Sequence, residues 1–342
     1  MGSIGVLTAG GDCPGLNAVI RAVTVRVAEY HDRPVMGILN GWDGLMEGRV
    51  RPLDRDSVRG ILQRGGTILG TSRRDPYVHG DGFKSVAGCV RRHDIDGLVV
   101  VGGDGTLRTA QRLADEGLPV VAVPKTIDND IAGTDFTFGF DTAVQIATEA
   151  IDRIATTAEA HNRVMLVEVM GRSQGWIATY SGLAGGADAI LIPEIPYDLD
   201  AVADVILTRR DRGKNYSLVV VAEGIAPPGG TDAASLPVDA FGFARLGGVA
   251  YLIAPLLEEL TGFEARVTVL GHLQRGGTPS AFDRVLGTRF GVAAADLAVE
   301  GASGLMVALR GNQIVPIPLR EAVSSIRGID LDIYDVAATF FG

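Results

Sequence analysis

The sequence predicts an α/β protein with mainly parallel sheets and helices on both sheet faces, divided into about two domains. Three observations carry that expectation. Short β-branched runs alternate with amphipathic helical patterns along the whole chain. Glycine-rich or acidic clusters follow several of those runs, at the strand ends where open parallel sheets bind ligands. The 342 residues also exceed one typical core, at ~100–200 residues per domain.

In order along the chain, residues 4–8 read as a buried strand running into Ala9-Gly10-Gly11-Asp12, with an amphipathic helix over 16–29. Residues 98–101 repeat the design, ending in Gly102-Gly103-Asp104-Gly105-Thr106 before a helix through about Ala114. A third strand over 120–123 meets Pro124 and a polar loop, 125–130. Later strands are expected at 164–169, 189–192, 218–222 and 267–270, and helices at 142–156, 199–209, 248–260 and 281–299. Pro227-Pro228-Gly229-Gly230 is the strongest turn signal and reads as a surface loop rather than a domain linker.

Composition narrows the function. Hydrophobic residues make up 46% and charged residues 21%, which fits a well-buried globular chain and not a disordered one. A net charge of −10 weighs against nucleic acid as a partner, while small anions remain open because they need only a few placed cations. Cys13 and Cys89 cannot make a disulfide framework and form no C-x-x-C pair, so a reducing compartment is expected. No apolar run reaches the ~18 residues that cross a bilayer, and the first residues lack a signal-peptide pattern. The expectation is a cytoplasmic protein without a membrane partner.

The clusters suggest phosphoryl transfer. Gly10-Gly11-Asp12 and the Gly102–Thr106 run have the composition of phosphate cradles, because glycine admits close backbone approach and helix starts favour anions. Asp104 suits Mg²⁺, which prefers carboxylates together with substrate phosphates. In Thr126-Ile127-Asp128-Asn129-Asp130, the i, i+2 spacing lets Asp128 and Asp130 converge on a shared cation or proton. Arg163, Arg172, Arg266 and Arg275 lie near strand ends and offer the planar fork that grips phosphate. His272 falls in the predicted loop of Arg275, and Glu223 is a possible acceptor for sugar hydroxyls. Only Lys84, Lys125 and Lys214 are lysines, so the one inside a motif, Lys125, stands out. A rival reading takes Gly171-Arg172-Ser173-Gln174-Gly175 as a hydrolase nucleophile elbow, with Glu223 and His272 in triad order. No oxyanion loop precedes it, and neither a zinc motif nor a Walker A loop is present.

On these motifs, together with Met170-Gly171-Arg172 and Gly271 to Gly277, the chain resembles the bacterial 6-phosphofructokinases of the phosphofructokinase A family, whose superfamily has ATP- and pyrophosphate-dependent members. The likeness runs from Gly5 to Gly342. It implies two Rossmann-like three-layer domains with the active site in the interdomain cleft. By resemblance, 1–139 plus 275–324 form the larger, donor-binding domain, and 140–274 plus 325–342 the smaller, sugar-phosphate domain.

The resemblance also implies roles. Asp128 looks like the general base for the sugar 1-hydroxyl, Asp104 like the Mg²⁺ aspartate with Asp130 in support, and Thr126 and Arg172 like contacts to the transferring phosphoryl. Gly11, Arg73, Gly103, Gly105, Thr106 and Lys125 match donor positions, and Trp42 a place where an aromatic stacks on adenine. Met170, Gly171, Glu223, His272 and Arg275 match the sugar-phosphate site. Arg163 and Arg266 match arginines that reach a neighbouring subunit's site, which implies a homotetramer or homodimer. The implied reaction is Mg²⁺-dependent transfer from ATP to fructose 6-phosphate, with a pyrophosphate-dependent enzyme or a kinase of another ketose phosphate, such as sedoheptulose 7-phosphate, as alternatives. Gly105 is ATP-like, because pyrophosphate users carry aspartate there, whereas Lys125 is pyrophosphate-like. Ser173-Gln174, where related sequences often have His-Ala, departs from the pattern beside the sugar pocket. Val25 and Ala155 replace two effector-site arginines, so little response to ADP or phosphoenolpyruvate is expected.

Overall fold

The computed structural model describes residues 2–78, 80–228 and 247–342; Gly229 and Gly230 of the turn signal lie outside them. The elements in chain order are β1 (Ser3–Thr8), α1 (Leu16–Val25), β2 (Val35–Ile38), α2 (Gly41–Glu47), β3 (Val50–Leu53), α3 (Gly82–Arg92), β4 (Ile95–Gly102), α4 (Asp104–Asp115), β5 (Val120–Thr126), β6 (Phe138–Gly139) and α5 (Phe140–His161). They continue with β7 (Val164–Val169), α6 (Trp176–Ala184), β8 (Ala189–Leu191), α7 (Leu199–Asp211), β9 (Ser217–Ala222), α8 (Val249–Thr261), β10 (Ala265–Val269), α9 (Ala281–Val299), β11 (Leu305–Arg310), β12 (Gln313–Pro318), α10 (Leu319–Ala322) and α11 (Leu331–Ala338). Two compact units result: Met1–Thr142 with Arg275–Arg327, and Ala143–Gln274 with Gly328–Gly342.

In the first unit the sheet order is β12-β11-β5-β4-β1-β2-β3, with β6 beside β5. All its pairings are parallel except β11–β12 and β2–β3 at the two edges. β1, β4 and β5 are apolar nearly end to end because both faces of a central parallel strand are covered. On one face, α1 and α9 pack closely. A Cβ on Gly291 would stand 2.7 Å from Ala22 Cβ, so small residues set that spacing. Leu7, Ile38, Leu45, Val100, Leu107 and Leu113 belong to a core on the same sheet.

One sequence expectation fails here for a physical reason. Pro124 does not end the third strand: β5 continues through Lys125 and Thr126. β11 pairs only as far as Ala122 and β6 begins at Lys125, so proline, lacking an N–H, falls in the gap between two ladder partners. Lys125 is therefore a strand residue rather than a loop residue.

The second unit has an all-parallel sheet in the order β10-β7-β9-β8. The central β7 and β9 are buried at every position. Glu168, buried within β7, accepts from the backbone N–H groups of Gly248 (2.6 Å) and Ala250 (2.9 Å), and so ties the start of α8 to the sheet. α5 carries the chain out of the first unit and into the second.

Candidate active site

The order β5-β4-β1 with parallel pairing sets three carboxyl ends side by side. The loops after these strands are the two glycine clusters and the Asp128 turn. Gly10 is left-handed (φ 82°), and its neighbourhood is fixed from 70–72: Gly10 N–H donates to Ser72 O at 2.9 Å and Thr71 Oγ1 donates to Gly10 O at 2.6 Å. That places the exposed Arg73 next to the first cradle. Gly103 caps α4 in an extended conformation with no side-chain bond, so Asp104, Gly105 and Thr106 form the first helical turn, where backbone N–H groups have no helical acceptor. A Cβ on Gly103 would lie 3.2 Å from Lys125 O, which keeps the second cradle close to β5.

Asp104 is held by Arg108 at 3.0 Å, an i, i+4 pair whose arginine is half exposed. Such a pair is cheap to open, at about 0–1 kcal/mol. Thr109 hydroxyl turns back to Gly105 O at 3.1 Å. Lys125, 4% exposed, donates through Nζ to Gly11 O, and burial holds its ammonium below the ordinary lysine range.

The Asp128 turn is preorganised. Asp128 N–H donates to Thr126 Oγ1 at 3.0 Å, and Thr126 Oγ1 lies 3.3 Å from Asp128 Oδ2. Asn129 takes a left-handed conformation (φ 52°) and its Oδ1 accepts from Thr137 N–H at 3.0 Å, while Thr137 hydroxyl donates to Thr126 O at 2.8 Å. Asp128 and Asp130 are 6% and 5% exposed. Asp128 Oδ1 is buried with no hydrogen-bond partner. A buried carboxylate oxygen left open costs about 1–3 kcal/mol, so it is an acceptor kept for something else. Sequence reasoning missed Thr137, which comes from beyond the loop and carries no local signal.

In the second unit the carboxyl ends of β7, β9 and β10 are neighbours and carry Met170-Gly171-Arg172, Glu223 and the short 3₁₀ turn Gly271–Arg275. Arg172 sits at φ 55°, a strained position for a non-glycine residue, with its N–H on Glu223 Oε1 at 3.1 Å. Met170 N–H meets the fully buried Gln274 Oε1 at 3.4 Å. His272 is exposed.

Trp42, Arg163 and Arg266 do not lie on these loops, and the two arginines are expected at a neighbouring subunit's site rather than at this one. Trp42 is 1% exposed and packed in the core with Ile38 and Leu45, so it has no face left for an adenine; burying its ring in the core outweighs keeping it at a ligand site. Arg163 and Arg266 lie at the amino edge of β7 and β10, a strand length of ~20 Å from Arg172. Both pair with Glu264, Arg163 Nε at 2.6 Å. Arg275 leans on Gly11: a Cβ there would collide with its Nη1. The nucleophile-elbow reading also fails on geometry, since Arg172 and not Ser173 holds the strained conformation, and Glu223 supports Arg172.

Comparison with known proteins bears on the family of the whole chain. A family model described as Phosphofructokinase matches residues 3–298. A pyrophosphate–fructose 6-phosphate 1-phosphotransferase of Amycolatopsis methanolica is 52% identical over 341 residues, covering 99% of each chain. ATP-dependent 6-phosphofructokinase 3 of Streptomyces coelicolor is 52% identical over 327 residues, covering 95% of this chain and 96% of that protein. Among solved structures, Pichia pastoris phosphofructokinase in the T-state superposes with a TM-score of 0.83 at 34% identity, over 99% of this chain. This chain spans only 38% of the Pichia chain's length. Among the described residues, no helix is long and apolar enough to cross a membrane.

Proposed function

We propose, since the chain belongs to the phosphofructokinase family, that it transfers the terminal phosphoryl group of ATP to the 1-hydroxyl of fructose 6-phosphate, giving fructose 1,6-bisphosphate. The observation that carries this reading is the open Oδ1 of Asp128, buried in a turn that Thr126 and Thr137 hold in place. That oxygen accepts the proton of the sugar hydroxyl as O1 bonds to phosphorus. The bond from phosphorus to the bridging oxygen breaks, and its electron pair leaves on ADP. General-base help of this kind contributes ~10²–10⁴ in rate.

The first unit supplies the donor side and the second the sugar side. Thr126 orients the base and meets the incoming phosphoryl group. Arg172, its backbone fixed by Glu223, offers charge to the transition state. The residues fit magnesium by their chemistry: Asp104 presents a carboxylate on the first turn of α4, and its ion pair to Arg108 is weak enough to be given up. Magnesium, when bound, offsets the charge of the donor phosphates. Met170, Glu223 and His272 then face the sugar phosphate. Arg163 and Arg266 complete a neighbour's site in a homotetramer or homodimer, a role supported by their place on the opposite edge of the sheet from Arg172.

ATP is favoured as donor because Gly105 adds no side chain to the first turn of α4. Pyrophosphate has its own support in the buried Lys125 and in relatives of equal identity named for that donor. A coupled assay crossing ATP and pyrophosphate with fructose 6-phosphate and sedoheptulose 7-phosphate, at matched Mg²⁺, decides. Fastest turnover with ATP and fructose 6-phosphate is expected. Faster turnover with pyrophosphate would reverse the donor assignment, and no turnover with any pair would end the kinase reading.

A further inference from the structure

The turn that carries Asp128 leans on the two-residue strand β6, and β6 is held from the start of α9. Lys125 and Thr126 of β5 pair with Phe138 and Gly139, all within the first unit. Just before β6, Thr137 ties down both sides of the turn: its hydroxyl donates to Thr126 O at 2.8 Å and its N–H to Asn129 Oδ1 at 3.0 Å. The strand is also packed against the loop of the first cradle. A Cβ on Gly139 would stand 2.6 Å from Cys13 Sγ, and one on Gly15 would stand 2.7 Å from the Phe138 ring.

β6 runs directly into α5, whose third residue is Thr142. Asp283, in the first turn of α9, grips that residue: its Oδ2 accepts from Thr142 N–H at 2.8 Å and from the Thr142 hydroxyl. Ser280 caps α9 by accepting from Asp283 N–H at 3.2 Å. It also donates its own N–H to Thr142 Oγ1 at 2.9 Å and its hydroxyl to Asp141.

Asp283 is fully buried, and its Oδ1 has no hydrogen-bond partner. Burying a carboxylate with one oxygen unanswered is unfavourable, and Ser280 alone would join the two helix starts with neutral groups. What the carboxylate adds is stiffness, because charge-assisted hydrogen bonds are shorter and stronger than neutral ones. Burial pushes the Asp283 carboxyl up to about 6, and Thr142 and the backbone of Gly139 pull it down, so its charge is felt in β6 as well as in α5. We infer that Asp283 is a positioning residue for Asp128: through Thr142 and β6 it sets where Thr126 and the open Oδ1 of the base stand. It touches neither donor nor sugar in this role. The inference rests on the phosphotransferase reading above and deepens it. A general base acts only within hydrogen-bond reach of its proton, and a displacement of ~1 Å can cost ~10²-fold in rate. A clamp of this kind therefore shows in the chemical step and not in sugar binding.

Steady-state kinetics of the full chain test this, with Mg²⁺, fructose 6-phosphate and whichever of ATP and pyrophosphate the parent uses, well below the melting temperature of every variant. Asp283→Ala removes the acceptor and is expected to lower kcat about tenfold or more, with KM for fructose 6-phosphate within about twofold. Asp283→Asn keeps an oxygen for Thr142 and should hold kcat within about threefold of the parent. Thr137→Val loosens the other end of β6 by removing its bond to Thr126 O, and should lower kcat as well. Both changes act through one strand, so the loss in the double variant should fall well short of the product of the single losses. If Asp283→Ala melts too low to assay, Thr142→Val, which gives up only hydroxyl bonds, takes its place in the same comparisons. Parental kcat in the folded Asp283→Ala variant, an equal loss in Asp283→Asn, or single losses that multiply would reduce Asp283 to a stabilising residue and overturn the inference. A parent chain that turns over with neither donor ends the kinase reading itself, and this role with it.

Discussion

Two charged places in the molecule are built differently. At the carboxyl edge of the larger sheet, Lys125, Asp128 and Asp130 are almost wholly buried, and neighbouring backbone and hydroxyl groups fix the first two. At the amino edge of the smaller sheet, Arg163 and Arg266 share Glu264 with side chains 29%, 52% and 41% exposed. In the first place, water has been replaced by fixed dipoles, so each group has one geometry and a large effect on whatever enters. In the second, solvent screens the charges, and the ion pairs can be exchanged for others at little cost. Preorganised chemistry belongs to the first edge and exchangeable contacts to the second.

The sharpest way to break that contrast is Asp128→Asn. The amide keeps the shape and can still accept from Thr126, but it cannot take a proton. We expect kcat to fall by ~10²–10⁴ with ligand binding retained. A variant with near-parental turnover would remove both the base and the special status of the buried edge. Gly105→Asp comes next. A carboxylate in the first turn of α4 is favourable to the helix, so the fold should persist. It would face the nucleotide phosphates, and kcat/KM for ATP should drop by about 100-fold or more while pyrophosphate use is spared. Equal losses with both donors would contradict the donor assignment.

Asp283 extends the contrast to stability. It is fully buried, accepts from Thr142 N–H at 2.8 Å, and leaves Oδ1 without a partner. Burial pushes its carboxyl up to about 6, against hydrogen bonds from Thr142 that pull it down. The folded chain thus holds a proton that the unfolded chain releases at lower pH. Its contribution is fully present below the unfolded value and is lost as pH rises through about 6. The loss amounts to roughly 3 kcal/mol at most. Urea unfolding at pH 5 and 7.5 should therefore show the parent losing stability relative to Asp283→Asn at the higher pH. Parallel curves would show that this buried carboxyl does not titrate between the two.

How much of this was legible in the sequence follows from the same physics. β7 and α9 appear with the bounds that the apolar run at 164–169 and the helical spacing at 281–299 suggest, because each is long or apolar enough to declare its period. β2, β3 and the two-residue β6 give no period to read, and Pro52 argues against β3, which survives at a sheet edge. α6 escaped notice because it is apolar nearly all round, which is the pattern of a buried helix and not of an amphipathic one. Within the site, the glycine clusters and the aspartates announced themselves by composition. Trp42 did not, since an aromatic beside a motif looks the same whether it stacks on a ligand or fills the core. The meeting of Arg275 with Gly11 joins the two ends of the chain, and no local pattern encodes it.

The smallest effect should come from the exposed edge. Glu264→Gln removes the shared partner of Arg163 and Arg266 and leaves both guanidinium groups in contact with water. Ion pairs of this exposure contribute about 0–1 kcal/mol, so the unfolding midpoint in urea should hardly move. If these arginines serve a neighbouring copy, freeing them from Glu264 should instead strengthen fructose 6-phosphate binding by a few-fold, an effect that shrinks as salt screens the charges. A drop in stability of several kcal/mol would mean that Glu264 is structurally fixed after all, and the two edges would then no longer differ in kind.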